Sequence, residues 1–425
     1  MKKLVVMGGG IGGVASAYEL KQAVGSDHEI ILVSDNPWFE FTPSNPWVAV
    51  NWRKPDAIRV DLDEAMSRRG IRFIHDPVVR VRPADDQLDL SSGTVLDYDM
   101  LVIATGPRLA FDEIEGLGPE GFTSSVCKTD HAAATAQVVE KLCEAPGPVV
   151  IGAAQGASCY GPAYEYAFIL ETELRRRKVR DRVPMTFVTP EPYIGHFGLD
   201  GVGDTKGLME SELRERHIKW LTNHRIDRVE SGVMHVTGVK PDGSDAESST
   251  LEFAHSMILP AFTGIDAVMG IDGLSNPRGF IPVDEFQRNP TYANVYAVGV
   301  CVAIPPVGKT PLPVGVPKTG FMIESMVTAA VGNIALALAG EEPRHRATWN
   351  ALCLADFGDR GVAFLAVPQI PPRNTNWSSS GKWVHLAKVA IEKYYLHKVR
   401  KGTTEPFYEK FGMKLMGAGK LRGQA

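Results

Sequence analysis

Five cysteines are the side chains best suited to redox chemistry in this sequence. They are widely separated, without CxxC spacing, at Cys127, Cys143, Cys159, Cys301 and Cys353. An odd and scattered set indicates neither a disulfide framework nor a zinc site. A pair of thiols can, however, exchange two electrons with a redox cofactor by cycling through a disulfide or a polysulfide. We therefore treat the cysteines as candidates for two-electron catalysis.

Cys159 lies in segment 147–165, GPVVIGAAQGASCYGPAYE, which begins like a nucleotide-binding βα unit. A buried strand meets Gly152, but Ala154 occupies the place of the second glycine of a GxGxxG pattern, the one that lets backbone approach a pyrophosphate. We expect a helix over 165–177 and a lowered pKa for Cys159 beside it. The alternative is a degenerate domain with one buried structural cysteine.

An intact fingerprint opens the chain. The strand LVVM leads into Gly8, Gly10 and Gly13 in GxGxxG spacing, and a helix follows. The next strand, over 29–33, ends at Ser34 and Asp35, about 20 residues beyond the glycines, where a group that binds an adenosine ribose is expected. This complete βαβ unit predicts a bound dinucleotide rather than a plain glycine-rich turn.

Composition limits the class of protein. With 425 residues, 44% hydrophobic and 22% charged, the chain can form two or three globular domains. A net charge of -5 argues against a nucleic-acid binder. The first strand starts almost at Met1, so we expect no signal peptide and synthesis in the cytoplasm. We also expect no membrane-spanning helix, since no run approaches the roughly 18 to 20 apolar residues required.

The end of the chain differs in charge from the rest. Residues 377–425 contain ten Lys or Arg and three Glu, a net charge of +7, which leaves -12 for everything before them. Apolar residues repeat at helical spacing at Trp383, Val384, Ala387, Ile391 and Tyr394, with lysines elsewhere on the turns, and a second such segment covers 407–416. Cationic amphipathic helices of this kind lie in a bilayer interface. The alternative is a helix packed on the protein's own core.

Several segments resemble a known flavoprotein family. YDMLVIATGP (98–107) and VYAVG (295–299) are the strand-ending turns of FAD-dependent reductases, although Val300 stands where that superfamily usually has Asp. FEFTPSNPW (39–47), SCYGPAYE (158–165), PKTG (317–320) and TWNALCLADFGDRG (348–361) resemble the sulfide:quinone oxidoreductases of the first bacterial type. The resemblance covers essentially the whole chain.

The resemblance implies an α/β fold with two Rossmann-like dinucleotide-binding domains, the second inserted in the first. The FAD domain would comprise 1–112 and 265–340, and the second domain, without a functional NAD site, 113–264. A C-terminal region, 341–425, would hold a redox cysteine and amphipathic helices for membrane attachment. Within the second domain we expect a strand over 185–188 and a polar hairpin near 241–248.

The resemblance also assigns roles to individual residues. Cys159 and Cys353 would carry sulfur beside the flavin, with Cys127 as an auxiliary thiol; Cys143 and Cys301 are expected to be structural. Glu165, His131 and His196 are candidates for proton handling. Lys318 and the helix after it would stabilise the anionic reduced flavin. The candidate FAD contacts are Gly8, Gly10, Gly12, Gly13, Ser34, Asp35, Val79, Thr105, Gly106, Gly299, Val300, Lys318, Thr319 and Gly320. No metal site is expected.

The implied reaction oxidises sulfide to polysulfide or elemental sulfur and reduces a quinone of the ubiquinone or menaquinone type. The candidate quinone contacts are Phe41, Pro43, Asn350, Ile391 and Tyr408. We expect peripheral, monotopic attachment to the cytoplasmic membrane through anionic lipid, with homo-oligomer formation left open. Three alternatives remain: a sulfide dehydrogenase flavoprotein that donates to a cytochrome, an enzyme similar to NADH:quinone dehydrogenases, and a non-catalytic membrane flavoprotein.

Overall fold

The computed structural model describes residues 1–404 and 419–422. The strands are β1 (Lys3–Met7), β2 (Glu29–Ser34), β3 (Trp38–Glu40), β4 (Arg59–Asp61), β5 (Arg72–His75), β6 (Val78–Arg82), β7 (Gln87–Leu90), β8 (Val95–Asp97), β9 (Met100–Ile103), β10 (Arg108–Leu109), β11 (Val149–Ala153), β12 (Met185–Val188), β13 (Ile218–Leu221), β14 (His224–Glu230), β15 (Val233–Val239), β16 (Asp245–Glu252), β17 (His255–Leu259), β18 (Phe262–Thr263), β19 (Val295–Ala297), β20 (Ala351–Asp356), β21 (Gly361–Val367) and β22 (Thr375–Gly381). The α-helices are α1 (Ile11–Val24), α2 (Asn45–Val48), α3 (Leu62–Ser67), α4 (Thr129–Glu144), α5 (Gly161–Arg176), α6 (Thr205–Glu215), α7 (Gly320–Leu338) and α8 (Lys382–Lys401).

The first parallel sheet has the strand order β19-β9-β1-β2-β5. In its centre, Val5 pairs with Ile31 of β2 and with Leu101 of β9. Nearly continuous apolar strands suit this sheet because consecutive residues such as Leu4, Val5 and Val6 are buried, so both of its faces are covered. The carboxyl ends of the strands bring residues 8–10, 34–35, 104–106 and 298–300 to one edge, the position at which open α/β sheets bind ligands.

The second parallel sheet has the order β13-β12-β11-β17 and is encoded between β9 and β19. The predicted fold class, two Rossmann-like sheets with one inserted in the other, is confirmed. The strand over 185–188 and the polar hairpin, formed by β15 and β16, are also as predicted. The helix expected from 165 starts earlier, at Gly161, because Pro162 has a φ suited to the first helical turn.

The strand order of the two sheets does not define the domain boundaries, which stay a prediction. Strands of the first sheet come from residues 3–103 and 295–297, and strands of the second from 149–259. We propose that 1–112 with 265–340, 113–264 and 341–425 are the three units of the chain.

The C-terminal unit is an antiparallel sheet, β20-β21-β22, followed by α8. The helix predicted near 383–394 forms and continues to Lys401, ending at Gly402 in the left-handed conformation, with a φ of 66°. Its orientation differs from the prediction. Lys388 and Lys398, expected on the solvated face, are buried, and Glu392 is buried with them. Lysines at these two positions therefore cannot attract lipid, since they are ion-paired inside the protein.

α7 corrects the prediction that no run is long and apolar enough to span a bilayer. Its 19 residues, Gly320–Leu338, meet both criteria. In the structure 67% of its apolar window is buried, and the helix packs against α1 of the first unit. It serves as a core helix because its apolar surface is covered by protein on several sides.

Candidate sulfur and flavin site

Cys159 lies within electrostatic range of two other cysteines, which come from separate segments of the chain. Cys159 follows β11 and stands two residues before α5, Cys353 is in the middle of β20, and Cys127 precedes α4. The Cys159 thiol interacts electrostatically with the Cys353 and Cys127 thiols, and also with Glu165 and Lys318. All are free thiols in the structure. The fold therefore brings Cys127 and Cys353 within range of Cys159, and their role as sulfur carriers stays a prediction.

Burial governs the acidity of these thiols. It raises the pKa of Cys159 and of Cys353 to about 12, and that of Cys127 to about 11. The prediction that the start of a helix lowers the pKa of Cys159 is wrong for the protein without ligand, because loss of solvation outweighs the helix dipole. Lys318 does act in the opposite direction and lowers the pKa of Cys159. A neutral sulfur bridge avoids the cost of a buried thiolate.

Glu165 is on α5, beside the thiols, and accepts two hydrogen bonds. Its Oε1 accepts hydrogen bonds from the Lys388 ammonium of α8 and from the backbone N–H of Asp356, the latter at 2.5 Å. Burial raises the pKa of Glu165, while Lys388 lowers it. The Asp356 carboxylate in turn accepts from Trp47 Nε1 at 2.7 Å and lies 2.9 Å from His385 Nδ1. Sequence reasoning missed Lys388 and Asp356, because amphipathic spacing alone placed the lysine outside.

The two predicted histidines lie in different surroundings. His131 is in the first turn of α4, with its ring 6.2 Å from that of Phe111, and burial lowers its pKa. Its Nδ1 is buried without a hydrogen-bond partner among the described residues. His196 lies in the loop between β12 and α6, where burial also lowers its pKa. Among the described residues, neither histidine forms a hydrogen bond with a cysteine sulfur.

The first glycine turn has the shape required by a dinucleotide. A Cβ on Gly8, at φ +114°, would lie 2.5 Å from the Ala104 carbonyl, and a Cβ on Gly13 would lie 1.7 Å from the Gly8 carbonyl. A Cβ on Gly10 would instead meet nothing within 4 Å, so space remains next to the N-terminus of α1. Backbone with open space at a helix N-terminus suits a pyrophosphate. The residues present therefore fit FAD.

The remaining candidate FAD contacts surround that turn at the same edge of the sheet. Ser34 is buried at the end of β2, and Asp35 beside it is exposed. Gly106 and Gly299 have positive φ values of 70° and 82°. Val300 occupies a short turn after β19, and Val79 is 53% exposed on β6, in a separate small sheet. Gly12, Thr105, Thr319 and Gly320 complete the set around the starts of α1 and α7 and the end of β9.

Lys318 is a half-buried cation that forms no ion pair with a carboxylate among the described residues. It lies two residues before α7, with its ammonium 5.2 Å from the centre of the Phe280 ring. Burial lowers its pKa to about 8, and the thiols of Cys301 and Cys159 oppose that shift. A buried ammonium needs compensation by an anion. The anionic form of a bound flavin would supply it.

The second glycine turn is closed. Ala154 is fully buried, and its backbone N–H donates to Leu259 at 2.8 Å. The Gln155 side chain bridges to β14, where its Nε2 donates to the Ile226 carbonyl at 3.0 Å and its Oε1 accepts from the Ile226 N–H at 3.1 Å. The groups of this turn therefore form hydrogen bonds within the protein. Sequence reasoning identified Ala154 but missed Gln155.

The candidate quinone contacts come from several elements of the chain. Phe41 is buried, with its ring 5.4 Å from that of Tyr395 on α8, and Pro43 is exposed nearby. Ile391 is 40% exposed, one turn before Tyr395. Asn350 is buried and donates to the Gly419 carbonyl at 3.4 Å. Tyr408 and the second amphipathic segment, 407–416, lie outside the described residues.

An apolar surface covers the outer side of the C-terminal unit. Its members are the exposed large apolar residues of β22 and α8: Trp377, Trp383, Leu386 and Ile391, which are 40% to 68% exposed. We call this the α8 outer face. Of the predicted stripe, Trp383 and Ile391 point outward, Val384 is fully buried, and Ala387 and Tyr394 are half-buried. The helix thus buries some of its charged groups and exposes some of its apolar ones.

Known proteins give a consistent assignment. A family model described as pyridine nucleotide-disulphide oxidoreductase matches residues 2–329. The sulfide-quinone reductase of Aquifex aeolicus is 42% identical over 96% of this chain and 93% of its own length. The X-ray structure of the sulfide:quinone oxidoreductase of that bacterium superimposes with a TM-score of 0.95 and 40% identity, over 99% of this chain and 96% of the other.

A more distant structure shares the fold alone. NDH2 from Plasmodium falciparum, solved in complex with NADH, has a TM-score of 0.70 and 14% identity, over 99% of this chain and 100% of the other. The predicted family is thus confirmed by full-length similarity. The chain belongs to the sulfide:quinone oxidoreductases, an FAD-dependent family within the pyridine nucleotide-disulphide oxidoreductases.

Proposed function

We propose that this chain oxidises hydrosulfide at Cys159 and Cys353 and transfers the two electrons to a quinone. The observation that carries the proposal is that Cys159 interacts electrostatically with two other thiols and with the half-buried cation Lys318. Hydrosulfide loses two electrons and one proton to become sulfane sulfur. The quinone gains two electrons and two protons, so one further proton comes from solvent. The full-length similarity to sulfide-quinone reductases supports both substrates.

The cysteine pair provides a balanced route for the sulfur. Loss of two electrons and two protons first joins the free Cys159 and Cys353 thiols in a disulfide. Hydrosulfide then attacks this disulfide, so the S–S bond breaks, a persulfide forms on one cysteine, and the other becomes a thiolate. Loss of two electrons and a proton then joins persulfide and thiolate in a neutral trisulfide, which a further hydrosulfide can open. Burial favours the neutral bridges over the thiolate, and Lys318 compensates the thiolate charge while it exists.

When bound, FAD would supply the two-electron redox chemistry between sulfur and quinone. Gly8, Gly10 and Gly13 would hold its pyrophosphate at the start of α1. Lys318 and the N-terminus of α7 would stabilise negative charge on its ring system. The Glu165–Lys388 pair would keep a fixed charge distribution beside the sulfur atoms.

The test is the absorption spectrum of the flavin before and after anaerobic addition of sulfide. Wild type should bleach. Cys159→Ser and Cys353→Ser should retain FAD but lose sulfide-dependent quinone reduction, because neither can form the bridge. Cys143→Ser is the matched control and should be nearly neutral, since Cys143 lies away from this site on α4. Wild-type turnover in Cys353→Ser would contradict the assigned pair.

The protein would reach its quinone by lying on the membrane through the α8 outer face. Apolar side chains on an amphipathic helix insert into the interface, and remaining exposed lysines, such as Lys393, add about 1 kcal/mol each toward anionic lipid. We place this contact at the cytoplasmic membrane and take Phe41, Pro43, Asn350, Ile391 and Tyr408 as quinone contacts. Homo-oligomer formation stays a prediction.

Removal of 378–425 would be a poor test of attachment, because it deletes the buried Lys388, Glu392 and Lys398. The double substitution Trp383→Ser, Leu386→Ser changes only exposed groups. We expect it to weaken sedimentation with anionic vesicles and slow the reduction of long-tailed quinones, with sulfide bleaching unchanged. Phe122→Ser, at an aromatic residue that is 49% exposed elsewhere, is the control. Unchanged sedimentation of the double variant would contradict attachment through this face.

A further inference from the structure

The loop that carries His196 is held from within by Glu191. This carboxylate is fully buried. Its Oε1 accepts from the backbone N–H of Phe197 at 2.6 Å, and its Oε2 accepts from the Thr189 hydroxyl at 2.8 Å and the Tyr164 hydroxyl at 2.9 Å. No lysine or arginine among the described residues forms an ion pair with it, so neutral donors alone compensate its charge.

The same loop contacts the segments that carry the site. The Phe197 ring lies 5.7 Å from that of Phe364, which pairs with Cys353 across β20 and β21. It is also 5.2 Å, edge to face, from the ring of Tyr164, the residue before Glu165. The backbone at Gly198 approaches Gly315 so closely that a Cβ there would lie 2.0 Å from the Gly315 carbonyl. A shift of this loop would therefore change the packing around Cys353, at α5 and near Lys318.

The loop also fixes the hydrogen on His196. The backbone N–H of Gly198 donates to His196 Nδ1 at 3.1 Å, so the ring hydrogen is on Nε2. A second proton on Nδ1 would face that N–H, and burial already lowers the pKa of His196. The imidazole is thus kept neutral with Nε2–H as a donor. This geometry depends on the backbone of residues 196–198, which Glu191 anchors at Phe197.

We propose that Glu191 is a positioning residue of the sulfide site: it holds the His196 loop against Phe364, which pairs with Cys353, and against Gly315, and it keeps His196 as a neutral Nε2–H donor. The inference rests on the proposed function. Glu191 stands three residues after β12, in the loop that leads to α6. In this chain the carboxylate faces inward and binds the loop.

A purely structural role would not require this carboxylate. Burial of an unpaired carboxylate is costly, and an apolar side chain could fill the same volume at lower cost. Burial accordingly raises the pKa of Glu191 to about 7. The anchor is retained where the loop meets Cys353 and Lys318, which favours a role in setting the site.

The experiment compares half-reactions in Glu191→Gln. An amide cannot accept at both oxygen positions, so one of the three hydrogen bonds is lost. We expect sulfide-dependent bleaching of the FAD enzyme to slow at least tenfold, and quinone-dependent reoxidation of chemically reduced enzyme to change less than twofold. In ¹⁵N-histidine spectra, the His196 signal should shift from pure Nε2–H toward a mixture of tautomers. Glu212→Gln, at a buried carboxylate on α6, is the matched control and should change none of these.

A double-variant experiment shows whether the effect of Glu191→Gln depends on His196 or results from a general loss of structure. The double variant His196→Asn, Glu191→Gln should bleach less than twofold more slowly than the single variant His196→Asn. A full additional tenfold loss there, a wild-type bleaching rate in Glu191→Gln, or equal slowing of both half-reactions overturns the proposal. If Glu191→Gln does not fold, Tyr164→Phe removes one donor, and unchanged bleaching overturns the proposal equally. Wild type that fails to bleach with sulfide would instead refute the proposed function.

Discussion

The two glycine turns of the molecule begin alike and end differently. In the first, Gly10 leaves open space beside the start of α1. In the second, Ala154 is fully buried and Gln155 joins the turn to Ile226 of β14 by two hydrogen bonds. Both follow the central strand of a parallel sheet and precede a helix. One turn therefore remains available to a dinucleotide, and the other has been converted into a support for Cys159.

The nucleotide-binding fold therefore does not by itself decide whether a nucleotide binds. The strand, turn and helix persist in both units, because they depend on glycines and apolar periodicity. The ligand depends on whether backbone amides face open space or an internal partner. NDH2, which was solved with NADH, shares the fold at a TM-score of 0.70, so the two-sheet architecture is compatible with either outcome.

The largest effect should follow from filling the open turn. Gly10→Val should lower the FAD content of the purified protein by more than about 90%, because the side chain enters space needed by the pyrophosphate. The bound flavin is measured by absorbance. Gly161→Val, at the start of α5, is the matched control: an added Cβ meets nothing within 4 Å at either position. Equal flavin loss in both variants would contradict the assignment of the pyrophosphate to the space next to Gly10.

The second prediction concerns electron donors. NADH and NADPH should bleach the flavin at least 100-fold more slowly than sulfide, because Ala154 and Gln155 close the second turn. Anaerobic stopped-flow absorbance measures both rates on the same enzyme. Rapid bleaching by NADH alone would show that the second turn opens and would favour the dehydrogenase alternative.

Lys318 gives a pH-dependent test of the open unit. Burial lowers its pKa to about 8, so the ammonium is present below that pH and is lost above it. Sulfide-dependent bleaching should therefore decline as the pH rises through about 8. Lys318→Met should be about tenfold slower below pH 8 and lack this decline. Lys309→Met, at an exposed lysine of the same loop, should behave as wild type; loss of the decline there would contradict the assignment.

The smallest effect should come from opening the closed turn. Gln155→Ala removes both hydrogen bonds to Ile226 and should lower the free energy of unfolding by about 1 to 3 kcal/mol. Urea titration measures this loss, with Gln87→Ala on the surface strand β7 as the control. NADH should still fail to bleach the variant, because Ala154 remains. Rapid bleaching would assign the exclusion of NADH to Gln155 alone.

The sequence by itself determined the local elements. Glycine spacing predicted the first βαβ unit, apolar runs predicted the strands, and the resemblance predicted the family and FAD. The start of α5 was missed although Pro162 signalled it. The apolar run of α7 was underestimated, and only its surroundings identify it as a core helix.

Tertiary structure decided which polar groups turn inward. Lys388 looked like a solvated lysine, yet it binds Glu165 from 223 residues away, and Gln155 finds its partner 71 residues further along the chain. Helical periodicity cannot show this, because it reports which residues share a face but not what that face meets. The raised pKa values of the cysteines were unpredictable for the same reason: burial in three dimensions, not the neighbouring helix, sets them.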